Sequence, residues 1–346
     1  MPAVNADAKP PMPAVRISPE LRHSAALRLV PPGSGNPQDA ARKLVAGANA
    51  AGIDLGLIFG TVQPAARGRP AWVRHAVLLV RGSGRTAMVF QGSPLSDENE
   101  QDHAERVACL QAACDDLGGQ TELTPEGTTR PAVAVAQSLP DPNEQLAIAA
   151  MTDAGFSRVG DLSYMRRPLT GTDRGSAGTR GLPSGVTLRA MTTARVGSPD
   201  HDSLVTALNA SYADTLDCPE LCGMRETPDV VQSHIATGTF DPTLWTLVFQ
   251  GGEPVGCALF SPVPENRSAE LVYLGLGPSA RGLGLGRTLL LRGLSLVAKQ
   301  TRSTEVLCAV DKRNAPALKL YQRAGFRVFS ERVALIRRLH SEPENA

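Results

Sequence analysis

Two stretches of the chain, EQLAIAAMTDAGFSRVGDLSYMRRPL from Glu144 and NAPALKLYQRAGFRVFSERVALIRRL from Asn314, read as copies of one pattern. Ala154-Gly155-Phe156 and Ala324-Gly325-Phe326 align at a shift of 170 residues, and the arginine pairs Arg166-Arg167 and Arg337-Arg338 nearly follow. In each copy, apolar residues at helical spacing run up to a glycine that can end a helix, and the alternation after Gly-Phe suits a strand. Such a repeat constrains the chain to a tandem of one α/β unit. Its 346 residues are enough for two domains of ~100–200 residues.

Composition agrees with two ordinary cores. Hydrophobic residues make up 42% and charged residues 20%, and with only 4% aromatic residues the filling falls to leucine, valine and alanine. Lysine plus arginine (35) nearly cancel aspartate plus glutamate (34), so there is no electrostatic footprint for nucleic acid or an anionic membrane. No apolar run approaches the ~20 residues that span a bilayer. Met1–Val15 is rich in proline and alanine and lacks the apolar region of a secretory signal. The six cysteines are scattered, which suits a reducing, cytoplasmic compartment. Cys218 and Cys222 lack a second ligand pair, so no metal is expected.

The expected organisation is a disordered tail over 1–20, a first domain over 21–168, a glycine-rich linker over 169–184 (LTGTDRGSAGTRGLPS), a second domain over 185–340 and a frayed 341–346. In the second half, strands are expected at Val186–Ala190, Leu244–Gln250, Val255–Pro262, Ala269–Leu276, Glu305–Val310 and Arg327–Leu339. Helices are expected near Asp202–Asp214, Thr227–Thr237, Gly284–Lys299 and Ala315–Ala324. The fold class is α/β with a mixed sheet. In the first half a hairpin is expected from His75–Val80 and Arg85–Gln91.

The chemistry concentrates in ELVYLGLGPSARGLGLGRTLLL, from Glu270 to Leu291. A strand runs into Gly277-Pro278, then Arg281-Gly282-Leu283-Gly284-Leu285-Gly286, then a leucine-rich helix. Glycines let backbone N–H groups approach a phosphate, and the helix start adds unpaired donors and partial positive charge. Arg281 and Arg287 add formal charge at either end, so a diphosphate is the natural guest. A dinucleotide fingerprint would need a third glycine where Leu289 stands, and no Walker loop is present.

Arg281-x-x-Gly284-x-Gly286 on a strand-to-helix turn, followed by Asn314-x-x-Ala317-x-x-x-Tyr321-x-x-x-Gly325-Phe326, resembles the two signatures of the GNAT N-acetyltransferase superfamily. With the tandem repeat and Glu270 eleven positions before Arg281, the chain is similar to the tandem-domain type typified by the mycothiol synthases. The resemblance implies two tandem GNAT-like domains, each a twisted mixed sheet flanked by helices, one of them catalytic and the other decayed.

It also implies that acetyl-CoA is the co-substrate. Its pantetheine arm would pair with Leu274, Gly275 and Leu276, and its diphosphate would lie on Arg281, Gly282, Leu283, Gly284, Leu285, Gly286 and Arg287. Asn314 would cap its helix and meet the arm, Glu270 would be the general base and Tyr321 the acid for the leaving thiolate. Strand alternation sets Glu270, Val272, Leu274 and Leu276 on one side unless a bulge intervenes. A small-molecule amine is the expected acceptor, met by Tyr212, Asp217, Glu220 and Arg225, with the protein acting as a monomer. His201 and His234 read as surface or cap groups, and Trp245 as core. A non-catalytic acyl-CoA module, or acetylation of a protein or peptide amine, remains open. A tRNA-dependent aminoacyl transferase would lack the glycine loop.

The first half departs from the pattern. Met151 stands where Tyr321 stands, and acids from Asp97 to Asp102 follow the corresponding strand instead of glycines. Those carboxylates would repel a diphosphate, so this copy is expected to bind no CoA.

Overall fold

The computed structural model describes residues 11–340 apart from 67, 96, 125–126 and 176–180. The chain divides into two compact units, Met1–Arg158 with Val333–Ala346, and Val159–Arg332.

The first unit begins with β1 (Ala14–Arg16), α1 (Arg22–Leu29), α2 (Pro37–Ala50), β2 (Ile58–Gln63), β3 (Trp72–Gly82) and β4 (Thr86–Gln91). It continues through α3 (Glu100–Gly118), a small hairpin of β5 (Thr121–Leu123) and β6 (Thr129–Pro131), β7 (Val135–Ser138) and α4 (Gln145–Asp153). Residues 14–16, expected in the disordered tail, pair as β1 with β2, and Ile17 is buried in the core behind them. The first ten residues and 341–346 lie outside the described residues.

From β8 (Ser157–Pro168) the chain passes into the second unit: α5 (Gly171–Gly175), β9 (Val186–Ala190), α6 (Pro199–Tyr212), α7 (Thr227–Ile235), β10 (Trp245–Gln250), β11 (Glu253–Val263), β12 (Ser268–Leu276), α8 (Leu285–Gln300), β13 (Glu305–Asp311), α9 (Ala315–Arg323) and β14 (Arg327–Arg338). The strand positions expected for this half agree to within a few residues.

The units divide inside strands, not in the glycine-rich stretch. In the second unit β8 pairs antiparallel with β13 from Leu162–Asp311 to Pro168–Glu305. In the first, the end of β14 pairs with β7 from Leu335–Ser138 to Arg338–Val135. The strand that closes each repeat is thus built into the other repeat's sheet. The head of the expected linker is structured as well: Leu169 N–H bonds Thr304 O at 2.8 Å, and Asp173 is buried against Arg167 at 2.8 and 3.0 Å.

The repeated Ala-Gly-Phe is one helix-ending device used twice. After α4, Gly155 N–H bonds Thr152 O and Phe156 N–H bonds Met151 O; after α9, Gly325 N–H bonds Gln322 O and Phe326 N–H bonds Tyr321 O. Gly155 and Gly325 adopt φ of 88° and 92°, open only to a residue without Cβ strain. Both phenylalanines are buried and pin the helix to the following strand. The exchange also fixes the arginine correspondence: Arg167 lies under Gly325 and Arg337 under Gly155, so these two are equivalent at a shift of 170.

The second unit's core centres on Trp245, Phe260, Leu204, Leu208, Leu289 and Leu294. Helix α8 lies close on the sheet because Gly293 faces Phe260; a Cβ there would meet the ring at 1.9 Å. Burying a phenylalanine contributes roughly 1.5–3 kcal/mol. Among the described residues no helix is long and apolar enough to cross a membrane.

Candidate active site

Strands β12 and β13 pair in parallel only through Ser268–Glu305, Ala269–Val306 and Glu270–Leu307. Beyond that point β12 stays with β11 as far as Leu276, while β13 stays with β8 as far as Asp311. A wedge therefore opens with Glu270 at its apex, and among the described residues the edge of β12 over Leu274–Leu276 has no strand partner on that side. An extended chain could add there by backbone hydrogen bonding.

The β12–α8 loop ends the same strand. Gly282 and Gly284 have φ of 76° and 78°, and Gly284 is the N-cap of α8 with no side-chain cap. The first N–H groups of α8 are accordingly left for a ligand. Beside them lies a groove of about 510 Å³ lined by Gly284, Arg287 and Pro316, and by Lys319, Leu320 and Arg323 of α9. Lys319 and Arg323 were not among the expected residues. Their spacing from Pro316 (three and seven positions) puts all three on one helical face, which is the signal that could have found them.

Arg281 is placed differently from expectation. Its guanidinium donates to Leu276 O (2.9 Å), Asp214 O (3.2 Å), Ser211 O (3.1 Å) and Ala213 O (2.7 Å). It ties the carbonyl end of α6 to the end of β12, where helix carbonyls need donors. The loop's charge comes instead from Arg287 with Lys319 and Arg323. Asn314 caps α9 as expected, its carboxamide accepting from Ala317 N–H at 3.2 Å.

A bulge corrects the expected facing of Glu270. The β11–β12 register pairs Leu259 with Tyr273 but Phe260 with Leu271, leaving Val272 as the extra residue. Glu270 therefore shares a face with Tyr273 and Gly275, and Leu274 and Leu276 share the opposite face with Leu271. Phe260 meets α8 on the latter face, while Tyr273 meets α6 and α7, through Ser211 Oγ at 2.8 Å and the His234 ring at 5.6 Å. A Cβ on Gly275 would strike Tyr273 and Ser211, so only glycine fits beneath that phenol.

Tyr321 is buried in the core of the second unit. Burial raises the pKa of Glu270 from the ordinary glutamate value. Burial, with the neighbouring Cys308 and Asp217, raises Tyr321 well above an ordinary phenol.

Comparison with known proteins bears on this geometry directly. Residues 210–326, from the end of α6 to the end of the second signature, match the acetyltransferase (GNAT) family. That stretch of the second unit is similar to the GNAT acetyltransferases. A mycothiol acetyltransferase of Thermomonospora curvata is 32% identical over 180 residues, covering 52% of this chain and 56% of that protein. Another, of Rhodococcus erythropolis, is 29% identical over 282 residues, covering 80% and 88%. The chain thus spans little more than half the length of the first of these relatives. The fold of a crystallised GCN5-related N-acetyltransferase from Sphaerobacter thermophilus superposes with a TM-score of 0.55 at 17% identity, over 95% of this chain and 96% of that one.

Within the second unit the four expected acceptor residues fall into two groups. Asp217 accepts Asp311 N–H at 2.8 Å and its pKa is raised by burial; Glu220 is held below the usual range by the two hydrogen bonds it accepts from Arg313, at 2.6 and 2.8 Å. Tyr212 stands edge-on to Tyr273 at 6.3 Å, and Arg225, its pKa lowered by burial, donates to Ser233 Oγ at 2.8 Å. His201 is buried, against expectation, and His234 is pulled down to about 4 by burial and by Arg225. Trp245 is core, as expected. Tyr164 of β8, absent from the expected site, lies on Glu270's face; burial and then the Glu270 charge raise it. Nothing local in the sequence marks it, because its place follows from the strand exchange.

The first GNAT-like copy differs at the same points. Its β4–β7 pairing stops at Met88–Gln137, so Met88 stands where Glu270 stands. The start of α3 is closed by a capping box: Asn99 accepts from Gln101 and Asp102 N–H, and Asp102 accepts from Asn99 N–H. The acids expected to repel a diphosphate are partly neutralised, Glu98 by Arg106 and Asp102 by Arg74. Among the described residues one group of potential metal ligands gathers, His75, Asp102 and Glu105, and Arg74 occupies both of its carboxylates.

Proposed function

We propose that the second unit transfers the acetyl group of acetyl-CoA to the amine of a small molecule, and that the mycothiol precursor is that acceptor. The wedge at Glu270–Leu307 carries the reading: it leaves the β12 edge free beside an uncapped helix start and a groove with three cations. The pantetheine arm lies along Leu274–Leu276, and its diphosphate sits on the N–H groups around Gly282–Gly286 with Arg287, Lys319 and Arg323. A β12 N–H holds the thioester oxygen as it becomes an oxyanion.

The acceptor enters from the face of Glu270. Its ammonium gives a proton to the carboxylate, directly or through one water; the freed amine attacks the thioester carbon. The C–S bond breaks, the thiolate takes the Tyr321 proton, and the surplus proton on the new amide nitrogen passes to solvent, from which the phenol is restored. The raised pKa of Tyr321 keeps that proton in place throughout the range in which the amine reacts. The similarity to mycothiol acetyltransferases supports the choice of acceptor.

Calorimetric titration with acetyl-CoA, followed by mass analysis of the precursor incubated with acetyl-CoA and protein, tests both halves. Binding with appearance of the N-acetyl product is expected. Binding without product from any amine would leave a CoA-binding module, and product only from peptide amines would move the acceptor class.

A further inference from the structure

Strand β11 sets Ser261 directly opposite Glu270 in antiparallel register. Residues so paired have Cβ atoms about 4.5–5.5 Å apart, within reach of a serine hydroxyl and a glutamate carboxylate. Ser261 is fully buried, and its Oγ has no hydrogen-bond partner. A buried hydroxyl in that state is unfavourable and uncommon, and it needs an explanation.

The first repeat serves as a control within the same chain. There Met88 occupies the Glu270 position, and the residue opposite it on β3 is Val80. The carboxylate and the hydroxyl thus occur together in one copy, and two apolar side chains replace them together in the other. A serine kept only to fill space would have no reason to follow the glutamate.

We propose that Ser261 is the positioning residue of Glu270: its hydroxyl, unbonded in this structure, turns to donate to the carboxylate once Glu270 ionises and aims it into the wedge. The inference rests on the reading of Glu270 as the base. Other titratable groups around Glu270 are Tyr164 and Arg166 on β8, Cys308 on β13 and Tyr273 on β12, with Tyr212 and His234 of α6 and α7 beyond Tyr273. Arg332 of β14 acts on Tyr164. Neither they nor Ser261 as it stands donates a hydrogen bond to Glu270 among the described residues, and Ser261 is the one set directly opposite it with its hydroxyl unpaired. A donor to the charged form lowers a carboxyl pKa, so losing it raises that pKa.

The test uses Ser261→Ala and Ser261→Thr in the full chain labelled with ¹³C at glutamate carboxyls, the Glu270 signal being assigned through Glu270→Gln. Ser261→Ala is expected to move the Glu270 titration upward by about one to two pH units. Ser261→Thr should restore it. Thermal stability of the alanine variant should fall relative to wild type as pH rises through the Glu270 titration, because the charged carboxylate has lost its donor. In the active enzyme the acid limb of kcat/KM should shift by the same amount. An unmoved titration in Ser261→Ala overturns the proposal. A wild-type protein that acetylates no amine would refute the base reading, while the titration still decides on Ser261.

Discussion

Gly284→Glu probes the phosphate groove most sharply, because the structure separates its two effects. Gly284 has φ +78°, where an L-residue costs about 1–2 kcal/mol, and a Cβ there meets nothing within 4 Å. Backbone strain is therefore common to any side chain at this position, and the side chain is free to reach the groove. A carboxylate about 5 Å from one phosphate charge, at an effective dielectric of about 20, is repelled by roughly 3 kcal/mol. That corresponds to about 10²-fold in affinity. Gly284→Gln carries the same strain and nearly the same shape without the charge. Calorimetry with acetyl-CoA should find the glutamate variant weaker than the glutamine variant by that factor, with a gap that narrows as salt is added. Equal affinities in the two variants would place the diphosphate elsewhere.

Glu270→Gln should lower turnover ~10²–10⁴-fold at neutral pH, the loss shrinking as pH rises and the amine arrives already deprotonated. Because burial raises Glu270, the folded protein holds that proton more tightly than the unfolded chain, and ionisation weakens the fold as pH climbs from the ordinary glutamate value through the folded one. The glutamine variant should melt higher than wild type above that window, and the two should converge below about pH 4. Tyr321→Phe should leave acetyl-CoA affinity intact and reduce turnover ~10²-fold, read by steady-state kinetics; an unchanged rate would make the phenol a packing group. Arg281→Ala removes the donors to four carbonyls and should cost about 2–4 kcal/mol in urea denaturation, with a smaller loss of acetyl-CoA affinity than Arg323→Ala.

What the sequence made legible was local. The Ala-Gly-Phe caps declare themselves because a left-handed glycine and a buried phenylalanine are set by neighbours a few residues away. The glycine loop is legible for the same reason. The facing of Glu270 was hidden, because the bulge at Val272 involves no glycine or proline and depends on how β11 registers against β12. Arg281 misled because its charge is visible in sequence, while three of the four carbonyls that capture it lie at the end of α6 some seventy positions away. Tyr164 was invisible as a neighbour of Glu270, since only long-range pairing of β8 with β13 brings them together.

That exchange of closing strands bears on how the protein is made. A ribosome delivers the chain from its N-terminus, and domains generally fold as units once their residues have emerged. The second unit, Val159–Arg332, is contiguous and can condense as soon as β14 begins to appear. The first unit waits for Val333 and the residues after it, which supply the strand beside β7. The half synthesised first is therefore the half finished last, with an open β7 edge exposed until the end of β14 has emerged. Cutting the gene between the repeats would strand each closing strand on the wrong fragment, whereas a chain opened between Arg158 and Val159 leaves the second unit whole.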